Sequence, residues 1–362
     1  MNPSPIAYLH WAKTHLRGES ACDLASSGFP SREIESLDLD AESLQLTAPN
    51  AYGWAPLRDS IGEHYGLSGS EIVITAGASM ANFLAVMALQ TPGETVLVEH
   101  PVYEPMRRLP TLFGGKVTPL LRKMNEGWSI SAAHLEEQLK ATGAKGVFLS
   151  NPHNPSGVML SDVTLTELAE TCDRFGAWMI VDEVYAEFHS RKPDALQEWV
   201  KRGTVVILSS MTKVYGFGPV RIGWIAASPS RATHLLDLTQ YTYAVHGAIN
   251  ERIGLAVWNQ RHQFREEAVR RAEFNLGILR NFMDSAPQLS WVDPGNGILG
   301  FIRVDGMEDT RVLADRLQAE FGVTVVPGHF FGDPTCFRVG LGQPSGVVRT
   351  GLSSLRKVLL SF

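Results

Sequence analysis

The chain has little cysteine, and what it has is scattered. Cys22, Cys172 and Cys336 are the only three among 362 residues, and none falls into a C-x-x-C pair or another metal or redox spacing. A disulfide framework is therefore not expected, and a reducing compartment, the cytoplasm, is. Apolar runs long enough to cross a bilayer are missing too, so no membrane partner is expected. The first twenty residues, "MNPSPIAYLHWAKTHLRGES", contain no basic leader followed by an apolar stretch. Positive charge is in deficit, with 32 Lys and Arg against 38 Asp and Glu and a formal net charge of -6. Phosphate-backbone binding needs clustered Lys and Arg, and no such run exists, so nucleic acid is not an expected partner. Internal repeats and low-complexity tracts are absent as well.

What remains is an ordinary globular composition, 44% hydrophobic and 19% charged. A chain of this length exceeds the size at which one core divides. From about residue 58, short apolar runs alternate with helix-period segments, which is how a parallel sheet wrapped by crossover helices reads. Seven strands are predicted: 71–76, 95–100, 116–121, 146–150, 178–183, 205–210 and 221–227. Helices between them include "SMANFLAVMALQ" (79–90) and "TLTELAETCDRFG" (164–176). Beyond residue 230 the pattern changes to long helical segments and then to short strands in "GFIRVD", "VTVVPG" and "CFRVGLG". The expected architecture is α/β: a seven-stranded, mostly parallel sheet flanked by helices, with a smaller α+β domain. Residues 41–250 are expected to form the large domain, and residues 1–40 with 251–362 the small one.

In such sheets ligands bind at the carboxyl ends of the strands, and four of those ends carry unusual residues. "TAGASMAN" puts a small-residue turn at the start of a helix, where free N–H groups of Ala78 and Ser79 suit an anion. By itself this also reads as close packing. "SNPHNPSG" (150–157) is a stiff turn, since proline fixes φ and restricts the residue before it. Asn154 either bonds its own backbone there or presents its amide to a ligand. "IVDEVYAEF" brings Asp182 to the end of an apolar strand, where a carboxylate needs a partner or solvent, with Tyr185 nearby if the strand persists. "SSMTKVYGFGPVRIGW" (209–224) sets Ser210, Lys213 and Arg221 among small residues. An amine held beside another cation in apolar surroundings has its pKa lowered, which frees it as nucleophile and base.

These motifs, in this order and spacing, resemble those of the class I/II, fold-type I pyridoxal-phosphate-dependent aminotransferases. "NPHNPSG" is similar to the family's N-P-x-N-P-T-G, "VDEVY" to D-E-x-Y, and "SSMTKVYGFGPVRIGW" to S-x-x-K followed by G-x-x-G-x-R-x-G-W. The resemblance covers about residues 20–345. It implies that Lys213 forms the Schiff base with pyridoxal 5'-phosphate, that Ser210, Arg221, Ala78 and Ser79 hold its phosphate, and that Asp182 pairs with the ring nitrogen. It further implies that Tyr185 and Asn154 bond the ring oxygen, and that Tyr103, in "EHPVYEPM", stacks on the ring. Arg338 in "TCFRVGLG" and Gly28 in "LASSGFPS" are the implied partners of a substrate carboxylate. The expected reaction is amino transfer between an α-amino acid and a 2-oxo acid in a homodimer.

One departure concerns the tyrosine by which the family reaches the partner subunit's phosphate. Its place falls in "LTAPNA" (46–51), which has no tyrosine, and Tyr52 stands beside it. Phe29, Trp54, Tyr243, His246, His329 and Phe330 are the side-chain pocket candidates. Two other readings accompany the leading one. A lyase or cyclase would use the same cofactor for elimination or ring closure, as "NPHNP" and "VVPGHFFGDPTCFRVGLG" suggest by resembling β-carbon–sulfur lyases and capreomycidine-synthase-like proteins. A non-catalytic ligand sensor would carry a winged helix with a basic recognition helix, which this sequence lacks.

Overall fold

The computed structural model describes residues 5–15, 22–40, 44, 46, 50–189 and 193–361. Thirteen strands occur among them: β1 (Cys22–Asp23), β2 (Ile72–Thr75), β3 (Thr95–His100), β4 (Lys116–Leu121), β5 (Gly146–Ser150), β6 (Trp178–Asp182), β7 (Val205–Ser210), β8 (Gly223–Ala226), β9 (Leu289–Trp291), β10 (Leu299–Val304), β11 (Val323–Thr324), β12 (Val326–Pro327) and β13 (Cys336–Gly340). The seven predicted strands are β2 to β8, and they form one sheet in the order β2-β8-β7-β6-β5-β3-β4.

Pairing is parallel from β4 through β3, β5 and β6 to β7, while β8 runs antiparallel to both β7 and β2. Six strands therefore point the same way, and their carboxyl ends share one edge with the start of β8. Strands β2, β5, β6, β7 and β8 are buried at every position, which accounts for their unbroken apolar runs under helices on both faces. Edge strand β4 differs: it is largely exposed and carries Pro119, a residue that only an edge tolerates.

The second lobe holds the antiparallel sheet β12-β13-β10-β9 and the parallel pair β1-β11. The helices Arg261–Asp284 and Ser345–Leu359 pack on each other beside them. "VTVVPG", read as one strand, divides at Val325 between two sheets. The first helix beyond β8, Pro229–Thr239, gives way to a turn that puts Ala244 at a φ of 56°. One apolar cluster joins Val181 under the large sheet to Leu276, Phe337 and Leu355 in the second lobe. The two lobes are thus welded through a common core.

Candidate active site

A cavity of about 270 Å³ opens at the common edge of the sheet. Lys213, Asp182, Tyr185, Asn154, Ser210, Arg221, Tyr103, Ala78 and Ser79 all line it. Each arrives there by strand geometry, because Ser150, Asp182 and Ser210 are the last residues of neighbouring strands β5, β6 and β7.

One end of the cavity suits an anion. The helix Ala78–Leu89 begins after Gly77, whose φ of 80° only glycine adopts readily. Its first backbone bonds run from Met80 and Ala81 to the Gly77 carbonyl, so the N–H groups of Ala78 and Ser79 are free by helix geometry, at the positive end of the dipole. Beside them the Arg221 guanidinium donates to the carbonyls of Ala76 (2.9 Å) and Gly218 (3.3 Å).

The other end suits a heteroaromatic ring. Asp182 accepts from the Asn82 amide at 2.9 Å and from the Val184 N–H at 3.2 Å. Burial raises its pKa, while Asn82, Val184 and the nearby Lys213 hold the rise back. The Asn82 amide also donates to the Ala78 carbonyl at 3.0 Å, tying the carboxylate to the helix start. Strand β6 stops at Asp182, so Tyr185 reaches the cavity from the turn that follows and not along a continued strand. Its hydroxyl is buried and makes no hydrogen bond of normal geometry; burial pushes the phenol up to about 12, with Arg338 and the neighbouring Ser27 hydroxyl opposing. A buried, unpaired phenol beside a cavity calls for a ligand acceptor.

Lys213 lies between the two ends. Its Nζ donates to the Ser27 hydroxyl at 2.9 Å. Burial lowers its pKa, with Arg338 and Arg221 acting the same way and Tyr8 and Asp182 opposing. Gly28 sits against this lysine: a Cβ there would stand 3.3 Å from the Lys213 Cδ, and the adjacent Phe29 N–H donates to the Lys213 carbonyl at 3.0 Å. Donor set, anion cradle, ring carboxylate and unpaired phenol together fit pyridoxal phosphate.

Arg338, on β13, is fully buried and does not line the cavity, but bonds two residues that do, Asn154 and Tyr8. It donates to Asn154 Oδ1 (2.9 Å), the Tyr8 hydroxyl (3.0 Å) and the Ala25 carbonyl (2.7 Å), and its Nε has no partner. Asn154 is held in turn by its loop, in which the Asn151 side chain bonds Leu160 in both directions and Ser150 Oγ accepts the Asn154 N–H.

Sequence reasoning missed Tyr8, Ser27 and Asn82. Tyr8 belongs to the helix Ala7–His15, whose Leu9 and Ala12 also line the cavity with Met106. Its N–H donates to the buried Glu104 at 2.8 Å, and its ring meets Tyr103 edge-on. Asn82 had a legible signal, one turn after the anion cradle and on its face of the helix. The six side-chain candidates named earlier do not line the cavity. Phe29 packs on Phe188, Phe330 on Tyr8 and Trp11, Trp54 lies under Arg252, and the Tyr243 hydroxyl caps the Ile74 carbonyl. Thr47, Ala48 and Pro49 of "LTAPNA" lie outside the described residues, and Tyr52 is exposed.

The profile of the family described as "Aminotransferase class I and II" matches residues 35–355. This chain belongs to that family. It is a pyridoxal-phosphate-dependent aminotransferase of fold type I. Among curated relatives, the aminotransferase is 27% identical to the arginine–pyruvate transaminase of Pseudomonas aeruginosa, over 89% of this chain and 86% of that one. It is 24% identical to the capreomycidine synthase of Streptomyces vinaceus, over 94% and 90%. Among solved structures, a pyridoxal-phosphate-dependent aminotransferase from Streptococcus suis superposes with a TM-score of 0.92 at 24% identity, covering 100% of this chain and 99% of that one. That likeness carries the fold.

Proposed function

We propose that this aminotransferase moves an amino group between an α-amino acid and a 2-oxo acid, with Lys213 as both cofactor anchor and proton carrier. The supporting observation is that one cavity collects Lys213, Asp182, Asn154 and Arg221 from successive strand ends, with Arg338 bonded to Asn154 behind its wall. When bound, pyridoxal phosphate supplies an aldehyde that condenses with amines and an electron-poor ring that accepts the pair left by a broken Cα–H bond. Ala78, Ser79, Ser210 and Arg221 would hold its phosphate, and Tyr103 would lie on its ring. Asp182 would face the ring nitrogen and keep a proton there, a role its buried, twice hydrogen-bonded carboxylate suits. Tyr185 and Asn154 would bond the ring oxygen, which gives the unpaired Tyr185 hydroxyl its partner. Arg338 would take the substrate carboxylate in a planar, two-pronged contact, with the Gly28 backbone flanking it. Lys213, displaced by the substrate amine and with its pKa lowered by burial, would carry the proton away from Cα and deliver it to the cofactor carbon.

The same reading includes two copies of the chain, working in the cytoplasm, where the free cysteines stay reduced. Asn50 donates to the His246 carbonyl at 2.7 Å, which brings exposed Tyr52 beside the segment bearing exposed Tyr241, Val245 and Ile249. An apolar patch of that kind next to an active-site edge fits a subunit interface.

Single-turnover mass spectrometry on the pyridoxal-phosphate-loaded protein with a panel of amino acids tests the reaction. Accumulation of pyridoxamine phosphate with a matching 2-oxo acid is the expected result and names the donor. Retention of pyridoxal phosphate while ammonia, a thiol or a cyclised product appears overturns amino transfer in favour of lyase or cyclase chemistry, the reaction class suggested by the capreomycidine synthase relative. Lys213→Ala should lose the borohydride-reducible cofactor adduct; an adduct on another lysine refutes the assignment.

A further inference from the structure

Arg221 is one of the few non-glycine residues with a left-handed backbone, at a φ of 57°, a conformation that costs an L-residue energy and persists only where neighbours enforce it. The strain has a geometric result. It turns the guanidinium onto the Gly77–Ala78 cradle so closely that a Cβ on Gly77 would stand 2.8 Å from the guanidinium carbon. The residues behind the turn enforce it. The Val220 carbonyl accepts from the Asn250 amide at 2.8 Å, and the Arg221 carbonyl accepts from His246 Nε2 at 3.2 Å.

His246 is itself buried. Asn50 holds its carbonyl at 2.7 Å. Its Nδ1 faces Oε1 of the fully buried Glu251 at 3.9 Å, while Oε2 of that carboxyl accepts the Trp54 N–H at 3.0 Å. A carbonyl can only accept, so the contact to Arg221 requires the proton on Nε2. Glu251 stands on the other side of the ring without a hydrogen bond to it, since His246 Nδ1 and Glu251 Oε1 both lack a partner, so the bond from Nε2 to the Arg221 carbonyl is the contact that ties the ring to the turn.

We propose that His246 is a positioning residue that holds Arg221 in its left-handed conformation for phosphate binding. The proposal rests on the reading of Arg221 as a phosphate anchor. His246 does not line the cavity, so in this proposal it acts on the cofactor through Arg221.

The test compares equilibrium binding of pyridoxal phosphate and of pyridoxal, which lacks the phosphate, to the apoprotein of wild type, Arg221→Gln, His246→Phe, His246→Gln and His246→Asn. Loss of one hydrogen bond that seats the anchor should weaken pyridoxal phosphate binding about tenfold in His246→Phe, with pyridoxal binding unchanged. His246→Gln, whose amide nitrogen reaches the place of Nε2, should restore the preference. His246→Asn, one carbon shorter, should not, and this pair decides the matter if the phenylalanine variant does not fold. An equal loss for both ligands, or an unchanged preference in folded His246→Phe and His246→Asn, overturns the proposal. If Arg221→Gln itself keeps the preference for the phosphorylated ligand, the phosphate-anchor reading falls first and independently.

Discussion

Burial acts in opposite directions on Lys213 and Asp182, and both directions serve the same chemistry. It lowers the pKa of the amine and raises that of the carboxyl, which favours Lys213 as a base, while a cationic ring nitrogen beside Asp182 would favour its carboxylate. Asp182→Ala should still bind the cofactor, yet slow exchange of the substrate α-proton in heavy water by about 10²–10³-fold; unchanged exchange followed by proton NMR removes the electron-sink role. Glu251 shows the linkage to stability. Burial raises its pKa from 4.5 to about 7, against hydrogen bonds from Trp54 and Asn50. The folded protein therefore binds more protons than the unfolded chain in that window, and the stabilisation present below 4.5 is lost as pH rises through 7. Relative to Glu251→Gln, the wild type should lose a few degrees of melting temperature between about pH 5 and pH 8. Parallel melting profiles for the two proteins contradict that linkage.

Among the elements, strands β3 and β4 carry a buried ion pair that the proposed mechanism does not use. Glu99 on β3 meets Arg122, just past β4, at 3.1 Å with both side chains fully buried, and Glu99 also accepts from the Ser150 N–H and hydroxyl. Arg122→Ala leaves a buried carboxyl unpaired and should cost about 3–5 kcal/mol in urea unfolding, whereas Glu99→Met with Arg122→Met should cost much less. An Arg122→Ala midpoint within error of wild type sinks that view. The elements themselves were legible to different degrees. Strands β2 to β8 could be read to within a few residues because each is an apolar run bounded by turns. Strands β1 and β9 were invisible because two or three residues carry no period, and Val325 divides a continuous β pattern for tertiary reasons. In the site, Lys213, Asp182, Asn154 and Arg221 announce themselves through local motifs. Tyr8 does not, because its contact with Arg338 spans 330 residues and its helix shows no chemistry of its own.

At the scale of the whole molecule, the exposed apolar patch of Tyr52, Tyr241, Val245 and Ile249 should be covered by a second copy. Sedimentation should give two chains per particle, and Tyr241→Asp with Ile249→Asp should give one; a single-chain wild type that still turns over substrate refutes the interface. Within one chain, the proposed cofactor contacts all lie between Ala78 and Arg221, whereas the proposed carboxylate contact is built from β13 and the amino-terminal helix. During synthesis, which runs from the amino terminus, the groups proposed to grip the cofactor emerge from the ribosome more than a hundred residues before Arg338, the arginine proposed to read the substrate. Tyr8, made 330 residues before Arg338, waits longest for its partner. The order of manufacture separates the two tasks: a nascent chain gains the groups that hold the cofactor before it has any means of choosing an amino acid.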